Sequence, residues 1–77
     1  MESTIQQIHT WFVKHDFHVT YQSTALYLLA HHEVPGIEVR IGTAYTVVER
    51  DGYEVYRTLH RDFDPVIAME RTFGSLP

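Results

Sequence analysis

The chain has no cysteine, no asparagine, one lysine (Lys14) and four glycines. Without cysteine there are no disulfides and no thiolate metal sites. Without asparagine there is no acceptor for N-glycosylation. The few glycines form no glycine-rich phosphate loop, and no apolar run approaches the ~18 residues that would suggest a membrane span. No basic start followed by an apolar run opens the chain, so no export signal is expected. With the missing cysteine, this leads to the expectation of a cytoplasmic protein with no membrane contact.

Cations are also scarce. Lys14 and five arginines stand against ten acidic residues, for a formal net charge of −4. Affinity for nucleic acid comes mainly from cations on phosphates, so this balance disfavours nucleic-acid binding. Six histidines offer a pH switch as one option, with surface histidines as the plainer reading.

The 77 residues, 44% of them hydrophobic, read as one small globular domain spanning 1–77. A core of this size normally supplies only about 3–5 kcal/mol. With disulfides excluded, self-association is the simplest reinforcement, and a homodimer is expected.

The spacing predicts an α+β fold. Ser3 and Gln6 match a capping box, and Ile5, Ile8, Phe12 and His15, widened by Trp11, form one stripe of a helix from about Thr4 to His15. Asp16 ends it, and residues 17–21 alternate as a short strand. The run Ala25–His32 is rich in helix formers and carries two histidines near its end, as a helix dipole favours. A second helix is expected there, with a buried strand as the alternative. Val34-Pro35-Gly36 stops either element in a type II turn.

Residues 37–60 then read as a three-stranded antiparallel meander. Gly42-Thr43 is taken as the first two-residue turn, which pairs Ile37 with Val48, Val39 with Thr46 and Ile41 with Ala44; a bulge at Gly42 in one long bent strand is the alternative. At the second turn a two-residue Asp51-Gly52 loop pairs Val48 with Val55 and Ala44 with Leu59, and sets Glu49 against Glu54. A three-residue loop would pair Val47 with Val55. Facing like charges cost at most about 1 kcal/mol, whereas each misplaced apolar side chain costs roughly 1.5–3 kcal/mol, so the two-residue loop is favoured. Ile37, Val39, Ile41, Ala44, Val48, Val55 and Leu59 then form the core face. Glu38, Arg40, Tyr45, Val47, Glu54, Tyr56 and Thr58 form the other. Asp64-Pro65 starts a C-terminal helix with the stripe Val66, Ile67, Met69 and Phe73, ended by Gly74.

No constellation names a reaction. His32-Glu33 begins like a zinc-protease helix, but Pro35-Gly36 breaks it and the second histidine is missing. His31 and His32 are neighbours that point apart, so even with His18 or His60 they make a poor chelate. His60 with Asp62 or Asp64 is the one candidate for a general base, yet Asp64 is already explained as a helix cap. Catalysis and cofactors are therefore not expected. A helix, a turn and a terminal hairpin also suggest a winged-helix nucleic-acid reader, but its recognition helix, Ala25–His32, has no Arg or Lys.

The leading expectation is a non-enzymatic protein-interaction module, an adaptor, inhibitor or regulator that self-associates through its sheet or helices. Tyrosine and arginine are enriched at interface hot spots, which places the candidate surface on Arg40, Tyr45, Val47, Tyr56 and Arg57.

Overall fold

The computed structural model describes residues 4–74. The proposed Ser3 cap and the tail after Gly74 lie outside them. Helix α1 (Thr4–Lys14) leads into five strands: β1 (Phe17–Gln22), β2 (Tyr27–His31), β3 (Ile37–Ile41), β4 (Tyr45–Arg50) and β5 (Tyr53–Leu59). A 3₁₀ turn (His60–Asp62) and helix α2 (Pro65–Phe73) follow. The strands form one antiparallel sheet in the order β1-β2-β3-β4-β5. Helix α1 lies over β1 and β3, and α2 over β4 and β5. No helix among the described residues is long and apolar enough to cross a membrane.

The core lies between the helices and one face of the sheet. Phe17, Leu29, Ile37, Val39, Ile41, Val48 and Tyr56 rise from the sheet to meet Ile8 and Phe12 of α1 and Ala68 of α2. Phe12 packs edge-on against Phe17 at 5.1 Å and meets Phe63 at 5.6 Å, which ties α1 to both ends of the chain. The α1 stripe falls as its periodicity predicts, except that His15 is exposed and stacks on Trp11 at 3.9 Å.

Several expectations are corrected. The segment 25–32 is not a helix: its central residues are β2, and the meander has five strands instead of three. Helix propensity is a weak prior that tertiary pairing overrides. Leu29 pairs with Val19 on one side and Val39 on the other and is fully buried, which an isolated helical turn could not offer it. The first hairpin closes one step later than expected. The Gly42 amide donates to the Tyr45 carbonyl (2.9 Å), so Thr43-Ala44 is the loop, and Ile37 pairs with Arg50, Val39 with Val48 and Ile41 with Thr46. The shift is two residues. Because side chains alternate with period two, it leaves the β3 core residues on the predicted face.

The second turn is the expected two-residue loop. Asp51 and Gly52 both have positive φ (54° and 86°), Arg50 pairs with Tyr53 and Glu49 with Glu54. Past that point a bulge at Val55 advances β5 by one residue, so Val48 pairs with Tyr56 instead of Val55 and Tyr45, not Ala44, with Leu59. Tyr56 therefore sits in the core and not on the second face, and Thr58 pairs with buried Thr46. A bulge of this kind leaves one residue unpaired and re-aims those beyond it.

Asp64 caps α2 as predicted, accepting from the amides of Val66 (2.9 Å) and Ile67 (3.4 Å), with Pro65 at the first position and Gly74 ending the helix at φ 71°. Its buried stripe is rotated from the expected one. Ala68 and Thr72 are fully buried, whereas Val66, Ile67 and Phe73 are exposed. Small residues let the helix approach the sheet closely, and Arg50 Nη1 reaches the Thr72 carbonyl at 2.8 Å.

Gly36 takes the positive φ (89°) of the expected turn, and its carbonyl accepts from the Asp51 amide at 2.8 Å, joining the β2–β3 loop to the β4–β5 turn. A Cβ there would collide with the Asp51 side chain. Gly36→Ala is expected to destabilise the fold by about 1–3 kcal/mol through backbone strain, read as a lower urea midpoint at unchanged slope.

Candidate functional site

With both helices on one side, no described element covers the other face of the sheet. Its residues are fixed by the strand registers in three rows. One runs Tyr21, Leu28, Arg40, Val47, Arg57 across all five strands; the next runs His18, Ala30, Glu38, Glu49, Glu54; a shorter one pairs Tyr45 with Leu59. Of the five predicted surface residues, Arg40, Tyr45, Val47 and Arg57 lie together here, and Tyr56 does not.

Ion pairs lace this face. Arg40 bridges Glu38 (3.5 Å) and Glu49 (2.6 Å), and Arg57 holds Glu54 through three hydrogen bonds of 3.0–3.1 Å while its guanidinium lies 5.6 Å from the Tyr45 ring centroid. The Arg57 hydrogen bond, against the opposing effect of burial and with smaller help from the Arg57 and Arg40 charges, holds the Glu54 carboxyl below its ordinary value of 4.5. The same bond raises Arg57. Val47 is only 7% exposed although no helix covers it. It sits between Arg40 and Arg57 in its row, and aliphatic arginine stems can cover apolar surface while the charged heads stay in water. Tyr21 and Tyr45 are about half exposed.

Tyr56 is core instead. It is 6% exposed, and its hydroxyl accepts from the Asp64 amide at 3.1 Å. Nothing in the alternation of residues 53–59 marks the bulge that puts it there. An indirect signal is that a type I′ Asp-Gly turn followed by strict alternation would bury Val55 and expose the larger Tyr56.

The other candidates do not converge. His60 lies in the 3₁₀ turn with its Nε2 buried and, among the described residues, without a partner, Asp62 reaches Arg61 at 3.8 Å in solvent, and Asp64 is occupied by the α2 amides. His60 borders an open groove of about 480 Å³ that also includes Thr4, Ala44, Leu59 and Arg61. Among the described residues no carboxylate orients its ring. His18 stacks on His32 at 4.7 Å, while His31 turns away, its Nδ1 accepting from the Glu33 and Val34 amides at 3.1 and 3.0 Å. Among the described residues no three His, Asp or Glu side chains gather to hold a metal ion. The helix a winged-helix reader would insert into a groove is strand β2.

No family model, curated protein or solved structure matches the chain.

Two outcomes follow from this geometry. Tyr56→Ala is expected to cost about 3–5 kcal/mol as a core truncation, and Tyr45→Ala at most about 1 kcal/mol, the worth of an exposed cation–π contact; denaturant melts of the two variants check this. In a carbon-13 titration the Glu54 carboxyl should have its midpoint below 4.5 and return toward 4.5 in Arg57→Gln. Because the folded-state value is depressed, the stabilisation from this pair is present above the ordinary glutamate value and lost as pH falls through the lowered one.

Proposed function

We propose that this protein is a non-enzymatic interaction module, an adaptor, inhibitor or regulator in the cytoplasm, which self-associates through the uncovered face of its sheet. The observation that supports this most is the composition of that face: Tyr21, Leu28, Tyr45 and Val47 are interleaved with Arg40 and Arg57 on a rigid sheet that no described element covers. Interfaces are enriched in tyrosine and arginine, with apolar residues at the centre and charge at the rim. The lack of cysteine and, among the described residues, of a metal-ligating cluster favours binding over chemistry.

Both edges of the sheet are poor alternatives for association. Edge β1 carries a bulge at Thr20 and edge β5 one at Val55, and bulged edges resist strand-to-strand pairing. Within the sheet, that leaves the face.

Sedimentation velocity from 10 μM to 1 mM is expected to show concentration-dependent dimers. The double variant Tyr21→Ala with Tyr45→Ala should keep the wild-type circular dichroism and weaken the dimer at least tenfold. A wild-type chain that stays monomeric throughout would remove self-association from this reading.

A further inference from the structure

We infer that the partner on this face is a second copy of the chain, docked about a twofold axis that runs across the strands between the arginine row and the glutamate row. This rests on the proposed function and goes beyond it by fixing the geometry. The observation that carries it is the separation of charge into adjacent rows. Arg40 and Arg57 lie in one row on β3 and β5, and Glu38 and Glu54 lie on the same two strands in the next row, two pairing steps along the chain in β3.

Two identical faces can meet only through a twofold axis lying in the plane between them. An axis parallel to the strands sets glutamate row on glutamate row and arginine row on arginine row. An axis across the strands, placed between the rows, keeps each strand over its own copy and exchanges the rows. Glu38 then faces Arg40 of the second copy, Glu54 faces Arg57, and Glu49 of β4 faces Val47. The face is complementary to itself in this one orientation, and the strands of the two sheets are then nearly aligned, a standard arrangement for stacked sheets.

The monomer sets like charges in line, and this docking places arginines of the second copy over the outer two. Glu38 is paired directly opposite Glu49, and Glu49 opposite Glu54, so three carboxylates stand in line across neighbouring strands. Like charges directly opposite are destabilising, and two half-exposed arginines are shared among the three. The facing copy brings three carboxylates with its two arginines, so the ratio is unchanged, but Glu38 and Glu54 each gain an arginine across the interface while Glu49 meets Val47.

The overlap is small. Five strands about 4.8 Å apart and two rows about 7 Å apart give a footprint near 24 by 14 Å, or about 700 Å² over both copies. That falls below the ~1,200–2,000 Å² of stable complexes. The dimer is therefore weak, in exchange with monomer, and sensitive to salt.

A charge swap tests the geometry. Variant one carries Arg40→Glu and Arg57→Glu; variant two carries Glu38→Arg and Glu54→Arg. Each alone is expected to be monomeric at concentrations where the wild type dimerises, and the equimolar mixture to associate at least as tightly as wild type, more so at low salt. A wild-type dimer that neither variant disrupts, or a mixture that stays monomeric, overturns the row exchange while leaving self-association standing. A monomeric wild type overturns both. Should either charge variant fail to fold by circular dichroism, thiol probes replace it, since the chain has no cysteine of its own. With a short bis-maleimide, a mixture of Leu28→Cys and Ala30→Cys chains, partly exposed positions in the two rows on β2, should cross-link at least fivefold more than Leu28→Cys alone, and equal yields overturn the assignment.

Discussion

The Tyr56 hydroxyl accepts a hydrogen bond from the Asp64 amide at 3.1 Å, and much of the architecture depends on that contact. It exists only because the bulge at Val55 turns Tyr56 toward the helices. At the other end of the bond, Asp64 begins α2 and accepts the first free amides of that helix. The register of β5 and the starting point of α2 are thus linked through one side chain. Phe63, one residue earlier, packs against Phe12 and Trp11, which carries the link on to α1. A small core has little reserve, so an anchor that positions an edge strand and a helix together matters more here than it would in a larger domain.

The same bulge decides what the uncovered face contains. With Tyr56 turned inward, Arg57 occupies the outer position opposite Val47. Its guanidinium then meets both Glu54 and the Tyr45 ring. Had β5 continued without a bulge, a buried-sized aromatic would stand in solvent and the arginine would point at the helices. The burial of the core and the chemistry of the open face are therefore two results of one backbone irregularity.

How much of this could be read in the sequence varies by element. Helix α1, the Asp64-Pro65 start, the Gly36 turn and the Asp51-Gly52 loop were legible because each rests on local chemistry: a 3.6-residue stripe, a capping carboxylate, a glycine at positive φ. β2 was not, because Ala25–His32 has helical composition and becomes a strand only through its neighbours on both sides. The α2 stripe was misread for a related reason. Val66, Ile67 and Phe73 are the more apolar residues, but Ala68 and Thr72 are the ones small enough for close packing on β4 and β5. Of the candidate surface, Arg40, Tyr45 and Val47 were placed by strand alternation alone, whereas Arg57 reaches this face only through the Val55 bulge. The two-residue shift in the first hairpin did not disturb β3, since an even shift preserves faces. The one-residue bulge in β5 did move Tyr56, since an odd shift exchanges them.

The departures at β2, α2 and β5 are each accounted for by packing, which gives weight to the one that packing does not explain. Exposed strand positions tolerate threonine or glutamine at no electrostatic cost, yet Glu38, Glu49 and Glu54 stand directly opposite one another on three neighbouring strands. Intramolecular pairing with Arg40 and Arg57 offsets that cost without removing it, and exposed ion pairs contribute only about 0–1 kcal/mol each. Where a sequence keeps a locally unfavourable arrangement, the compensating gain is to be sought in function rather than in folding. On this face the gain has a definite form. Separated rows of acid and base do little for a lone sheet, but they set the orientation of anything that lies across it, and an identical sheet meets that pattern without requiring a second sequence.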